Sequence, residues 1–278
     1  MAVFTVRETL RRRLIAVTAV ISGVFLLLFL LLCRAVAVGQ VGAVAGRPQA
    51  AAANLVLLAA WPLLGMYLAR SFSGLLAILA AAGAIGGELE NGSLQSVLAR
   101  PVQRWAVLLG KFTGFGLVLV PYTLVLQLAV AVIARAVLGA WLPDVGLALL
   151  LLPAEPLGLL ALTLLGSTRL PAMANGAGAV LLFGLGVVGG DLRQLAVLGG
   201  VPALGTIGIW TDLLVPGDVF YREVASRAVA GLGGGLVPHQ LGPLAAVVTP
   251  SPAMLTYAVA YIPLVLGLAA WSFARRDA

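Results

Sequence analysis

The stretch that decides the fold is ELENGSLQSVLARPVQRWAVLLGK, residues 88–111. It contains two carboxylates and three cations, whereas the sequence on both sides of it is strongly apolar. Gly92 allows a turn near its start. Pro101 ends the short helix predicted between them, because the residue before a proline avoids the helical conformation. A polar link between two apolar runs of near 20 residues predicts a short hinge between two membrane helices.

The composition of the whole chain indicates an integral membrane protein. Hydrophobic residues make up 62% of it and charged residues 10%, with a mean hydropathy of +1.10, whereas soluble domains carry about 25% charged residues. Outer-membrane strands would alternate over ~10 residues, so the long apolar runs favour helices. One cysteine, Cys33, and one histidine, His239, leave no cysteine-ligated metal site. We therefore expect an all-α membrane protein without a metal, whose cations are topology signals rather than a nucleic-acid site.

The apolar pattern predicts a single domain of six transmembrane helices over residues 1–278. The predicted spans are 14–33, 70–87, 112–134, 147–166, 173–190 and 254–273. Residues 1–13 fit either an interfacial helix or a solvated basic leader, and a cleavable signal is disfavoured because signal regions have only ~7–15 apolar residues. We interpret residues 51–69 as a separate helix at the outer surface, because Arg70 and the serines after it interrupt the apolar run. One long tilted helix is the alternative.

The distribution of cations predicts the orientation. The N-terminus, the hinge, the turn after the fourth span and the C-terminal tail together hold ten Lys and Arg residues, whereas the short loops on the opposite side hold three. The positive-inside rule therefore places both termini and the hinge in the cytoplasm. Residues 191–253 are then an outer segment of short interfacial or re-entrant helices, since glycines and a proline break its apolar part at 195–209. Asp218 and Arg222 in this segment could form a loop ion pair.

Three polar residues inside the predicted spans are candidates for the translocation path: Glu155, Gln127 and Asn175. Glu155 is the strongest candidate, because an intramembrane carboxylate is costly and is a functional candidate by default. Its alternatives are a wet outer vestibule or simple charge pairing. Gln127 and Asn175 can instead form hydrogen bonds between packed helices. These residues do not form a catalytic constellation, so we expect no catalytic site.

The hinge carries three short motifs in a fixed order. They are Glu88-x-x-x-Gly92-Ser93-Leu94, then Leu98-Ala99-Arg100-Pro101-Val102-x-Arg104, then Leu109-Gly110-Lys111. Together they resemble the signature of type-2 ABC exporter permeases, except that Gln103 stands where that family usually has serine. Pro216-Gly-Asp218 with Arg222 is similar to the outer-loop pattern of permeases of the nitrous-oxide-reductase maturation type. The C-terminal FARRD sequence also resembles the family's usual ending.

This resemblance implies a membrane-spanning permease subunit of an ATP-driven exporter in the inner or plasma membrane. Such a subunit pairs with a second copy and docks on separate ABC ATP-binding subunits through a cytoplasmic coupling helix in the hinge. The implied ATPase-coupling residues are Glu88, Gly92, Leu94, Pro101 and Arg104. ATP and Mg²⁺ would be bound by the partner, so the chain itself would be no enzyme and need no cofactor; it has no Gly-x-x-x-x-Gly-Lys-Ser/Thr loop. The alternative is an ATPase-independent secondary transporter or channel, but paired interrupted helices and rings of charge are not evident.

Overall fold

The computed structural model describes residues 13–43, 48–87, 103–139, 144–230, 246 and 248–275. In these ranges the chain forms the helices α1 (Arg13–Ala43), α2 (Pro48–Ala81), α3 (Arg104–Leu138), α4 (Val145–Leu151), α5 (Ala154–Ser167), α6 (Ala172–Gly199), α7 (Pro202–Leu214), α8 (Asp218–Ala230) and α9 (Pro252–Ala274).

Six helical segments of the described chain are long and apolar enough to cross a membrane. They are Val17–Val38, Ala60–Ala81, Trp105–Leu138, Val145–Ser167, Ala172–Gly199 and Pro252–Ala274. The fourth consists of α4 and α5 in succession. The predicted all-helical, six-span, multi-pass membrane protein is therefore confirmed. The second span lies at the centre, since 56% of it is buried, against 22% for the first and the last.

The second span is one continuous helix, so the predicted break at Arg70 is wrong. Residues 51–69 belong to α2, as the alternative proposed, and α2 ends at Ala81 rather than at 87. The polar residues do not break the helix because each has a partner. The hydroxyls of Ser71 and Ser73 donate to backbone carbonyls one turn earlier in α2, at 3.1 Å in both cases. Arg70 pairs with carboxylates on other helices.

The third span is longer than predicted at both ends. Residues 104–111, assigned to the polar hinge, form the first turns of α3, and the helix continues beyond 134 to a C-cap at Gly139, whose φ is 67°. The reason is that the apolar residues between Trp105 and Gly110 continue the helical run. The charge of Lys111 is satisfied within the fold, because its Nζ donates to Ala84 O over 2.6 Å. The predicted coupling helix falls in residues 88–102, which lie outside the described residues.

The first and fifth spans also exceed their predicted ends. α1 continues from 33 to Ala43 through a stretch without proline, so the predicted loop from 34 onward is helical there. α6 continues from 190 to Gly199, and the chain then turns at Gly200, whose φ is 65°. Residues 195–209 are thus divided between the end of α6 and the returning helix α7. The predicted interfacial helix of residues 1–13 and His239 lie outside the described residues, apart from Arg13 at the start of α1.

Candidate functional site

The helix α8 is charged yet almost entirely buried. Four of its thirteen residues are charged, and eleven of its side chains are buried. α8 contacts α2, α4, α5, α6 and α9. Charged side chains are rarely fully buried unless they are paired, so the partners of this helix define the candidate site. We call the charge network the five residues Arg70, Glu155, Asp191, Asp218 and Arg222.

Arg70 of α2 is the centre of the charge network. Its side chain is fully buried, and its Nη2 lies 2.7 Å from Oδ1 of Asp218 at the start of α8. The guanidinium carbon lies 4.7 Å from the ring centre of Tyr67 and 4.6 Å from that of Tyr221, which is within the range of cation–π attraction. None of its nitrogens donates an aligned hydrogen bond to a described atom. Arg70 therefore holds α8 by charge and by ring contacts.

Arg222 links α8 to the fifth span. Its Nε donates to Oδ2 of Asp218 over 2.7 Å, one helical turn away on α8. Its Nη2 donates to Oδ1 of Asp191 on α6 over 2.6 Å, and Oδ2 of Asp191 accepts a longer bond of 3.3 Å from the hydroxyl of Tyr67. The predicted Asp218–Arg222 pair is therefore confirmed, although it lies buried in a helix and not in a loop.

Glu155 lies at the same site with looser contacts. Its Oε2 is 3.8 Å from Nη1 of Arg70 and has no hydrogen-bond partner among the described residues, although the side chain is 1% exposed. It occupies the first turn of α5, where the helix dipole favours a negative charge. The described chain therefore pairs Glu155 with Arg70, which agrees with the charge-pairing alternative for this residue. Arg70 faces two carboxylates, one close and one more distant.

The charge state of α8 follows from its neighbours. Burial would raise the pKa of the Asp218 carboxyl, but Arg70 and Arg222 outweigh burial and hold this pKa below its ordinary value. Burial acts to lower the pKa of Arg222, and Asp218 more than offsets it, so that pKa is raised. Both side chains are thus ionised near neutral pH. Asp218 is therefore a carboxylate between two guanidinium cations.

Glycines let α8 and the segment before it approach α6. A Cβ on Gly190 would lie 1.6 Å from Oδ2 of Asp218, and a Cβ on Gly186 would lie 3.2 Å from the backbone oxygen of Val215. Only a residue without a side chain fits at Gly190. Gly186 and Gly190, at Gly-x-x-x-Gly spacing, therefore provide close contact with the Val215–Asp218 segment. The same α6 carries Arg193, which pairs with Asp212 of α7, and burial raises the pKa of Asp212 to about 6 despite that partner.

A second polar cluster lies at the opposite end of α2. Lys111 of α3 donates to Ala84 O, and the Asn175 amide of α6 donates to Ala82 O over 2.8 Å and to Thr163 O over 2.9 Å. We call Lys111 and Asn175 the polar clamp. It joins the end of the second span to the third, fourth and fifth spans, directly next to the 88–102 segment in sequence.

The predicted site residues fall into three groups. Glu155 lies in the charge network, and Asn175 lies in the polar clamp. Gln127 is fully buried on α3 and donates from Nε2 to Met66 O at 3.4 Å. Glu88, Gly92, Leu94 and Pro101 lie outside the described residues, and Arg104 is described only as the first residue of α3. The translocation and coupling roles of all these residues remain predictions.

The central residue of the site was not predicted as such. Arg70 was interpreted as a helix interruption, and Asp191 and Tyr221 were not singled out. One signal was available, because an arginine inside an apolar run of this length is as unusual as Glu155. In the described part of the chain, no group of three His, Cys, Asp or Glu residues could hold a metal ion.

Comparison with known proteins identifies the family. Residues 7–278 match the family described as ABC-2 family transporter protein. The chain therefore belongs to the ABC-2 transporter family, which confirms the resemblance of the hinge motifs. It is also similar to the Pseudomonas aeruginosa protein named "Probable ABC transporter permease protein NosY", with 36% identity over 185 residues. This alignment covers 62% of the present chain and 65% of that protein, slightly less than two thirds of its length.

Proposed function

We propose that this chain is the membrane-spanning permease subunit of an ATP-driven ABC exporter. The observation that carries the proposal is the family match over residues 7–278, which includes all six spans and the hinge. The relative named as an ABC transporter permease supports the same function. ATP and Mg²⁺ then bind to separate ATP-binding subunits, and the permease contributes the path through the membrane as a homodimer.

The hinge is the surface that receives the movement of the ATPase. Its proposed contacts are Glu88, Gly92, Leu94, Pro101 and Arg104. The orientation has both termini and the hinge in the cytoplasm of a cell with the chain in its inner or plasma membrane. The charge network then lies toward the outer side, because Arg70 is roughly 17 Å along α2 from Ala81. Glu155, Gln127 and Asn175 remain the candidate residues of the path.

Affinity purification from the native membrane tests this function. We expect the tagged chain, solubilised in a mild detergent, to retain a protein with a Gly-x-x-x-x-Gly-Lys-Ser/Thr loop and an ATPase activity. Glu88→Ala and Arg104→Glu should weaken that association or the ATPase activity while leaving membrane insertion intact. Arg227→Gln, an exposed change outside the hinge, is the control.

Two results would contradict the proposal. One is purification of a folded chain without any ATP-binding protein, which would favour the ATPase-independent secondary transporter or channel. The other is an unchanged complex and ATPase rate in both hinge variants, which would leave the hinge without a coupling role.

A further inference from the structure

Within the charge network, two carboxylates lie close enough to pair with Arg70. Asp218 on α8 lies at 2.7 Å, and Glu155 on α5 lies at 3.8 Å with its Oε2 unbonded among the described residues. Both carboxylates are buried, so each depends on a cation for compensation. Asp218 has a second cation, Arg222, whereas Arg70 is the nearest cation to Glu155 among the described ion pairs. The arrangement is therefore asymmetric: Asp218 can lose Arg70 and remain paired, but Glu155 cannot.

The charges of α8 are arranged so that this helix can move from its buried position between the spans into water. Its Asp218–Arg222 pair lies within the helix, at i,i+4 spacing, and stays intact when the helix moves. The contact of Arg222 with Asp191 on α6 is broken by that movement, but the Asp191 side chain is 24% exposed and keeps the hydrogen bond from the Tyr67 hydroxyl. A helix whose charges are paired internally loses less on entering water than one whose charges are paired only across an interface. An apolar helix would instead expose apolar surface to water on leaving its place.

α2 connects this site to the hinge. It is one continuous helix from Arg70 to its end at Ala81. The side chains of the polar clamp donate hydrogen bonds to the carbonyls of Ala82 and Ala84, just beyond that end. A helix is stiff along its axis, so a displacement at the clamp moves Arg70 relative to α5 and α8. The two carboxylates lie on different helices, and such a displacement changes the two distances unequally.

We propose that α8 is a gate latched by Arg70, and that Arg70 exchanges Asp218 for Glu155 when the gate opens. In the closed state Arg70 holds Asp218, and Oε2 of Glu155 has no hydrogen-bond partner among the described residues. In the open state α8 carries its own Asp218–Arg222 pair away, and Arg70 pairs with Glu155. The ATP-driven part of this inference rests on the proposed function, whereas the latch itself does not.

The latch is tested by the exposure of one thiol on α8. Ser226 is 7% exposed, and Ser226→Cys in a Cys33→Ala background places a near-isosteric thiol inside the closed gate. The protein is reconstituted in lipid nanodiscs, where both faces are accessible, and the rate of labelling by a charged, water-soluble maleimide is measured. This rate reports the open population when opening is fast relative to labelling.

The two carboxylates should respond with opposite signs. Asp218→Asn removes the partner of the closed state and should raise the labelling rate about tenfold or more. Glu155→Gln removes the partner of the open state and should lower the rate below that of the parent protein. Arg227→Gln breaks the exposed ion pair of the same helix and should leave the rate unchanged.

Labelling rates that differ from these expectations overturn the inference. A labelling rate in Glu155→Gln that equals or exceeds that of the parent protein refutes the exchange of partners, and this variant is expected to fold because the carboxylate accepts no described hydrogen bond at Oε2. An unchanged rate in Asp218→Asn, or an equal rise in Arg227→Gln, refutes the latch.

A second arm uses the complex with its ATP-binding subunit. ATP should raise the labelling rate of the parent protein, but not that of Glu155→Gln. Hydrolysis of ATP with an unchanged labelling rate would refute the gate while leaving the proposed function in place. Failure to purify any ATP-binding subunit would refute the proposed function, and the comparison without ATP would still decide the latch.

Discussion

Replacing Arg70 by methionine should destabilise the protein more than any other single change in the charge network. The side chain is 0% exposed, its Nη2 lies 2.7 Å from Asp218, and it contacts two tyrosine rings. Removal of one member of a buried ion pair costs about 3–5 kcal/mol, because the remaining charge is left uncompensated. At about 2–4 °C per kcal/mol for a chain of this size, we expect a fall in melting temperature of roughly 6–20 °C. Intrinsic tryptophan fluorescence during heating of the detergent-solubilised protein measures it.

A second substitution identifies the charge as the cause. Adding Glu155→Gln to Arg70→Met removes the carboxylate left without its nearest cation, and should recover roughly 1–2 kcal/mol through the coupling of the two sites. Glu155→Gln alone should leave abundance and melting temperature nearly unchanged. Arg227→Gln is the matched control for an exposed arginine. The reasoning fails if Arg70→Met melts like this control, or if the double variant is no more stable than Arg70→Met.

Three further predictions concern stability, and thermal melting checks each. Gly190→Ala should destabilise the protein, because the new Cβ would lie 1.6 Å from a carboxylate oxygen of the charge network. Gly184→Ala should stabilise it by up to about 1 kcal/mol, because a Cβ there would meet no atom within 4 Å. A change in melting temperature of the same sign in both variants would contradict the close contact at Gly190. Asn175→Leu should cost about 1–3 kcal/mol through two lost hydrogen bonds, while Gln127→Leu should be nearly neutral because its only described bond is long. Burial raises the pKa of Asp212 to about 6, so its contribution to stability is present at low pH and is lost as the pH rises from about 4 through 6. The melting temperature of Asp212→Asn relative to wild type should therefore increase between pH 4.5 and 7.5, and parallel curves would refute this assignment.

The sequence predicts the six crossings because each apolar run is long enough to span the hydrocarbon core of a membrane as a helix. The prediction fails at the polar residues within and beside those runs, because whether the helix continues through such a residue depends on a partner far away in sequence. Arg70 indicated a helix end because its partner, Asp218, lies 148 residues later in the chain, and Lys111 indicated a loop because its carbonyl acceptor was not evident. Asp218 and Arg222 lie only four residues apart, and this pair was predicted, although as a loop ion pair and not within a buried helix. Local spacing is readable from one sequence, whereas long-range compensation of a charge is not.

The charged sequence of α8 suits the two environments of this helix, which are the space between the spans in the closed state and water in the open state. Apolar helices have no hydrophobic drive to associate inside a bilayer, because lipid tails are as apolar as leucine. A short helix held between the spans therefore depends on ion pairs and hydrogen bonds, as α8 does through Arg70 and Arg222. The same charged groups are well solvated by water when the helix is released, whereas a leucine-rich helix would expose apolar surface. A charged helix is thus stable in both positions, and the cation that it leaves behind needs a carboxylate within reach. Glu155 meets that need at 3.8 Å.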